Sequence, residues 1–223
     1  MTWKQIFTSS IGKKLTMGLT GLFLITFLCV HVGVNSCIFL NDNGETFNTA
    51  AHFMSHNWVI RIMELGLFLG LILHIIQGLM LWRQNSAARP VKYAVSNANR
   101  NSKWYSRSMG LLGTLLLFFL IMHLAHFWVG TKVALYAEGD REHDLYQQML
   151  GVFSKWWIVV LYVAGVGSLL FHLIHGFQNA FQTLGLNHKR YTPVIKKIGI
   201  VYAVIVCILF ALMPILIFAK VLV

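Results

Sequence analysis

Five long apolar stretches constrain this sequence more than any other feature. A helix that crosses a bilayer needs about 20 mostly apolar residues. The stretches that meet this requirement are residues 15–40, 58–82, 109–135, 156–181 and 194–219. Only 11% of the chain is charged, whereas soluble domains are about 25% charged. The sequence therefore predicts an all-α integral membrane five-helix bundle, with residues 1–223 forming a single membrane domain.

The N-terminal segment, residues 1–14, precedes the first apolar stretch. Its apolar residues recur at helical spacing, which predicts a short amphipathic helix at the cytoplasmic interface; a frayed terminus is the alternative. These residues are Trp3, Ile6, Phe7 and Ile11. The stretch that follows is longer than the apolar region of a secretory signal, and no small-residue cleavage motif comes after it. We therefore expect it to be retained as the first span.

Charged residues are distributed unevenly between alternate loops. Thirteen of the 18 Lys and Arg residues lie in residues 1–14, 83–108 and 182–197, while six of the seven acidic residues lie in the other loops. Because cytoplasmic loops are rich in Lys and Arg, we expect a bacterial inner-membrane protein with a cytoplasmic N-terminus and an outer C-terminus. The same distribution accounts for the net charge of +11 without nucleic acid. We therefore expect membrane lipid as a partner and no nucleic-acid binding.

Six histidines lie inside the predicted spans, where ionisable residues are costly and suggest function. They are His31, His74, His123, His126, His172 and His175. His31 lies 16 residues after Leu15 and His123 lies 16 residues after Arg107, where their spans leave the cytoplasm. His74 and His172 lie 16 residues after Trp58 and Trp156, where their spans enter from outside. Each is therefore roughly 24 Å deep. The spacing predicts two pairs of histidines at two depths.

Two histidines at one depth on facing helices are what a haem with two imidazole ligands requires. The three cysteines form no CxxC or CxxCH motif, so a zinc site, an iron–sulfur site and covalently attached haem are not expected. The sequence instead predicts two stacked b haems inside the bundle, one held by His31 and His123 and the other by His74 and His172.

Neighbouring residues leave some assignments open. His126 and His175 each follow a predicted ligand by three residues on the same helix face, so they are alternative ligands or haem neighbours. Gly78 and Gly176 lie about one turn after His74 and His172, where the lack of a side chain would leave room for a porphyrin edge.

Buried histidines also have uses other than haem ligation. A single histidine on an apolar face is more often a packing residue, but four at matched depths are harder to explain in this way. A proton relay should carry acidic residues in its spans, and Glu64 is the only one there. A haem-free transporter or structural membrane protein remains the alternative from a different class.

Four motifs resemble a known family. They are SSIGKKLTMGLTG at 9–21, HVGVN at 31–35, HLAHFW at 123–128 and FHLIHGFQNAFQTLGLNHKRY at 171–191. Over nearly its whole length the chain resembles the cytochrome b558-type dihaem membrane anchors of succinate dehydrogenases and fumarate reductases. The alternatives within electron transfer are the cytochrome b anchors of other respiratory dehydrogenases.

The resemblance implies a non-flavin subunit of succinate:quinone oxidoreductase (respiratory complex II of the tricarboxylic acid cycle). Its partners would be a flavoprotein and an iron–sulfur subunit on the cytoplasmic face, and its substrate menaquinone or another quinone. It also implies the ligand pairs deduced from depth, with His126 and His175 as neighbours. Some fumarate-reducing members carry a Glu at the position of Leu170, so a proton path of that design is not expected here.

A quinone near the outer haem needs a hydrogen-bond donor and a proton carrier. Glu64, about one and a half turns inside the outer end of the second span, is the candidate, with Arg61, Asn57 and His56 nearby. An ion pair between Arg61 and Glu64, three residues apart on one helix, is the alternative interpretation.

Overall fold

The structure is a computed structural model that describes residues 9–87, 103–137 and 144–222. In these residues it contains helices and no strands, which confirms the all-α class. Most of the predicted interfacial helix over residues 1–14 lies outside the described residues, and the first described helix begins at Ser10.

Five helices in the described part of the chain are long and apolar enough to cross a membrane. They are α1 (Ser10–Asn35), extended by the 3-10 helix Ser36–Leu40; α3 (Trp58–Ala87); α5 (Met109–His123), continued by a π-helical turn (Leu124–Trp128) and α6 (Val129–Ala137); α8 (Trp156–Thr183); and α9 (Thr192–Phe218). The prediction of five spans is therefore confirmed. The shorter helices are α2 (Glu45–His56), α4 (Trp104–Arg107) and α7 (Leu145–Phe153).

Local sequence signals explain where several helices begin and end. The Asn57 side chain accepts a hydrogen bond from the backbone N–H of Val59 at 2.9 Å, and Asp144 accepts one from Gln147 at the start of α7. Both satisfy donors that a helix N-terminus leaves free. Gly185, just after the end of α8, has a φ of 81°, a conformation that glycine adopts without steric cost.

The chain divides into two compact units, each containing segments of all five long helices. The first unit consists of the described residues within Met1–Phe27, Leu65–Thr114 and Leu169–Val204. The second consists of those within Leu28–Glu64, Leu115–Ser168 and Ile205–Val223. His74 and His172 therefore belong to the first unit, and His31 and His123 to the second.

Helices α2 and α7 pack together in the second unit. Phe47 of α2 and Tyr146 of α7 are members of one buried apolar cluster, and burial of each such side chain contributes about 1.5–3 kcal/mol. Asn48 reinforces the contact because its amide donates to Asp144 at 2.9 Å and its carbonyl accepts from the Tyr146 N–H. The two short helices are thus fixed to one another.

Large apolar side chains are exposed along all five long helices. Leu65, Phe118 and Ile205 are among them, and a soluble monomer rarely exposes such continuous apolar surface. Trp58 and Trp156 are exposed at the first residues of α3 and α8, where aromatic side chains favour the membrane–water interface. This pattern indicates a multi-pass membrane protein.

Candidate functional site

The second unit brings the imidazole rings of His31 and His123 together. Their centroids are 5.8 Å apart and the ring planes are at 87°. Phe119 stacks on His123 at a centroid distance of 5.7 Å, and Phe127 lies 5.4 Å from the same ring. Phe210 lies 5.5 Å from His31. Aromatic rings therefore surround this pair.

The first unit contains the second pair, His74 on α3 and His172 on α8. Their ring centroids are 6.2 Å apart, with an angle of 63° between the planes. Each ring lies beside a glycine of another helix. A Cβ at Gly21 would lie 3.4 Å from His74 Cε1, and a Cβ at Gly113 would lie 3.9 Å from His172 Cε1.

Both centroid distances match the spacing that two ligands of one metal ion require. A metal–nitrogen bond is about 2 Å long and the ring centroid lies roughly 1 Å further, so two imidazoles that shared a metal ion would have centroids at most about 6 Å apart. Rotation of either ring about its metal–nitrogen bond leaves this distance unchanged. Aromatic packing alone permits the same distance, so the hydrogen bonds of the rings are needed to distinguish the two interpretations.

His74 is held in the form that a metal ligand requires. Its Nδ1 lies 3.2 Å from the hydroxyl of Thr20, and that hydroxyl donates its own hydrogen to the backbone oxygen of Thr16 at 2.7 Å. The Thr20 oxygen therefore accepts from Nδ1–H, which leaves the lone pair on Nε2. A metal-bound histidine is typically oriented by such a hydrogen bond from its other nitrogen.

Three buried polar atoms near the pairs have no hydrogen-bond partner among the described residues. They are Nδ1 of His123, Nδ1 of His172 and Oε1 of Gln77. Gln77 is only 4% exposed and follows His74 by three residues on α3. An unsatisfied buried polar group costs about 1–3 kcal/mol, and an absent bound group is one of its recognised explanations. The spacing of the imidazole pairs fits a haem with two histidine ligands, whereas the two unpaired Nδ1 atoms would stay without an acceptor if the rings bound the iron through Nε2.

The alternative ligands His126 and His175 bond to other side chains. His126 lies within the π-helical turn that begins directly after His123. Its Nδ1 is hydrogen-bonded to the Tyr162 hydroxyl at 3.0 Å, and its ring stacks on that of Tyr162. The Asn179 amide is hydrogen-bonded to His175 Nε2. A π-helical turn often marks a functional site, and here it follows the histidine that faces His31.

The haem-packing role of Gly78 and Gly176 stays a prediction. A Cβ at Gly78 would lie 3.2 Å from Met17 Cε, and a Cβ at Gly176 would have no atom within 4 Å. The glycines beside the imidazoles are instead Gly21 and Gly113. Gly78 therefore allows α1 and α3 to approach one another.

The predicted quinone residue Glu64 is held by two residues that the sequence alone did not indicate. Its Oε1 accepts from Trp128 Nε1 at 2.5 Å and its Oε2 accepts from Lys132 Nζ at 2.7 Å. Arg61 instead donates through Nε to the Ser55 backbone oxygen at 3.1 Å. The ion pair of Glu64 is thus with Lys132, and Arg61 is engaged elsewhere.

Asn57 and His56, the other two predicted quinone residues, lie where α2 passes into α3. Asn57 caps α3. His56 Nδ1 lies 2.9 Å from the backbone oxygen of His52, and the two imidazoles stack with centroids 3.8 Å apart. Both residues therefore have structural contacts of their own.

Comparison with known proteins identifies no relative of this chain. No family model matches the chain, and searches of curated proteins and of solved structures find no match. The functional assignment consequently depends on the residues and geometry described above.

Proposed function

We propose that this chain is the membrane-anchor cytochrome b subunit of a succinate:quinone oxidoreductase. In this role it carries electrons between a cytoplasmic iron–sulfur subunit and membrane quinone, and the isolated chain catalyses no reaction. The observation that supports this most strongly is the presence of two imidazole pairs with centroid distances of 5.8 and 6.2 Å, one in each unit.

Four histidines would hold the two b haems, with His31 and His123 on one and His74 and His172 on the other. A bound b haem supplies one-electron transfer, and its potential depends on its ligands, their hydrogen bonds and its burial. The residues of this chain contribute orientation and exclusion of water. Thr20 orients His74, and Phe119, Phe127 and Phe210 keep the surroundings of the other pair apolar.

The proposed partners are a flavoprotein and an iron–sulfur subunit that dock on the cytoplasmic face. The sequence carries no flavin-binding glycine fingerprint and no clustered cysteines, so these parts of the reaction would belong to other subunits. The uneven loop charges support a cytoplasmic N-terminus in a bacterial inner membrane. Reporter fusions after residues 95 and 140 test this topology, with the first expected inside and the second outside.

We place the quinone next to Glu64, with menaquinone as the expected species. The carboxylate of Glu64 and the ammonium of Lys132 are charged groups within otherwise apolar helices, where ionisable residues are retained for function. The pair would exchange protons with the quinone oxygens, since quinone reduction takes up two electrons and two protons. Trp128 holds the carboxylate in position.

Haem quantification in the purified membrane complex tests this proposal. We expect two low-spin b haems per chain in the reduced-minus-oxidised spectrum, together with co-purifying flavin and iron–sulfur subunits. Two haems with a different dehydrogenase would favour another respiratory anchor. A folded preparation without haem would overturn the proposal and support the haem-free transporter or structural alternative.

A further inference from the structure

The two imidazoles of the His74 and His172 pair occupy similar places beside two different helices. Cε1 of His74 faces Gly21 of α1, and Cε1 of His172 faces Gly113 of α5. In both cases the glycine lets the ring lie close against the helix backbone. The residues that flank the two glycines can therefore be compared directly.

The residues that precede the two glycines differ in whether their side chains can accept a hydrogen bond. Before Gly21 stands Thr20, whose hydroxyl oxygen lies 3.2 Å from His74 Nδ1 while its hydrogen is donated to the Thr16 backbone oxygen. Before Gly113 stands Leu112, which is 5% exposed and carries no hydrogen-bonding group. His172 Nδ1, correspondingly, is buried without a partner among the residues that the structure describes.

The nearest hydroxyl on α5 does not replace the missing acceptor. Thr114 follows Gly113, and two residues apart on a helix is a rotation of about 200°, so Thr114 and Leu112 point in nearly opposite directions. The Thr114 hydroxyl donates to the Gly110 backbone oxygen at 2.9 Å. Neither Leu112 nor Thr114, the residues that flank Gly113, therefore supplies an acceptor to His172 Nδ1.

We propose that Thr20 and Leu112 are positioning residues that make the two ligands of this pair electronically unequal. This inference rests on the proposed haem function. The hydrogen bond from Nδ1–H raises the basicity of a ligating imidazole, which stabilises oxidised iron and lowers the haem potential. Thr20 gives His74 this bond, whereas Leu112 withholds it from His172. The potential is therefore held above the value that two anchored ligands would produce.

Matched substitutions at both positions test the inference in the complete complex. Leu112→Thr introduces a hydroxyl, and Leu112→Val has nearly the same shape without one. Thr20→Val removes the existing acceptor, and Thr20→Ser restores it. Redox titration followed by optical and electron paramagnetic resonance spectra measures the midpoint potential of each haem and the ligand field at each iron.

The expected shifts have opposite signs at the two positions. Leu112→Thr lowers the midpoint potential of one haem relative to Leu112→Val, Thr20→Val raises that of the same haem, and Thr20→Ser returns it to the wild-type value. Equal potentials in Leu112→Thr and Leu112→Val, or equal shifts in both haems, would overturn the inference while leaving the haem assignment intact. A wild-type complex without haem would overturn the proposed function itself.

Discussion

The carboxylate of Glu64 lies 2.7 Å from the ammonium of Lys132, and the two charges join the N-terminal part of α3 to α6. Glu64 is 24% exposed and Lys132 is 18% exposed, so both are only partly accessible. The Trp128 indole completes the arrangement because it donates to the other carboxylate oxygen. The ion pair consequently links α3 to α6 and places two opposite charges in this part of the second unit.

Replacement of Glu64 by Gln tests both the structural role of the ion pair and its proposed role in quinone reduction. The change leaves Lys132 without its counter-charge, which costs about 3–5 kcal/mol for a fully buried pair and about 1–3 kcal/mol after allowance for the partial exposure of this one. We expect a lower thermal midpoint and a loss of succinate:quinone turnover of at least about tenfold, with haem content unchanged.

A double variant, Glu64→Gln with Lys132→Met, serves as the control. It removes both charges, so stability should return towards the wild-type value while quinone turnover stays low. Turnover that recovers together with stability would show that the pair is structural only.

Individual histidine substitutions distinguish ligands from neighbours. His123 faces His31, whereas His126 is hydrogen-bonded to Tyr162. We expect His123→Ala to retain one haem per chain and His126→Ala to retain two, measured as the pyridine haemochrome per polypeptide. The reverse result, in which only His126→Ala loses a haem, would exchange their roles.

Much of this arrangement is predictable from local sequence. The five spans depend on length and hydrophobicity alone, and the structure reproduces their first residues at Trp58, Met109 and Trp156. The equal spacing of His31 from Leu15 and of His123 from Arg107 predicts that these two histidines pair, because helix rise per residue is constant. The span bounds and the depths of the histidines both depend only on positions along individual helices.

The residues that contact the site residues could be identified only from the three-dimensional structure. Lys132 is 68 residues away from Glu64, and nothing in the spacing of the chain predicts this contact over the nearer Arg61. The π-helical turn at Leu124–Trp128 changes which face His126 occupies, and a regular helical period does not anticipate it. Contacts between helices depend on rotation about each axis, which hydropathy does not determine.

The sequence holds a second glycine signal for the site, in addition to the predicted Gly78 and Gly176. Gly21 and Gly113, the glycines beside the imidazoles, each lie ten residues before a histidine, His31 and His123 respectively. The repeated spacing marks equivalent positions on two spans that run in the same direction. The predicted glycines, Gly78 and Gly176, instead follow the ligands of their own helices, whereas the imidazoles rest against glycines of neighbouring helices.

We expect a larger side chain in place of Gly21 to displace the imidazole of His74, and a bulkier one to displace it further. A Cβ at this position would make an ordinary contact of 3.4 Å with His74 Cε1, so we expect Gly21→Ala to retain both haems. Gly21→Val adds two further carbons, and we expect it to lose one haem per chain. Haem content and the thermal midpoint of the purified complex check both expectations.

The control for this series is Gly33 on the same helix, where a Cβ would have no atom within 4 Å. Gly33→Val should keep both haems, since valine has room there and lowers helix propensity only slightly relative to alanine. If Gly33→Val and Gly21→Val lose equal amounts of haem, the effect is one of helix stability and not of the imidazole.

Tyr162 supports the pair of His31 and His123 through both its ring and its hydroxyl. The buried ring lies 6.1 Å from the ring of His123 and 5.3 Å from that of Phe119, while the hydroxyl is bonded to His126. Tyr162→Phe keeps the packing and removes the hydrogen bond, which leaves His126 Nδ1 unsatisfied at a cost of about 1–3 kcal/mol.

We therefore expect Tyr162→Phe to bind two haems with a lowered thermal midpoint, and Tyr162→Ala to lose the haem held by His31 and His123. Truncation of a buried aromatic side chain costs about 3–5 kcal/mol, and it would leave space beside His123 into which its ring can rotate. Thermal unfolding and the low-temperature haem spectrum of each variant separate the two effects. Full retention of both haems in Tyr162→Ala would mean that the iron–histidine bonds and the remaining rings, Phe119 and Phe127, are sufficient to hold His123 without Tyr162.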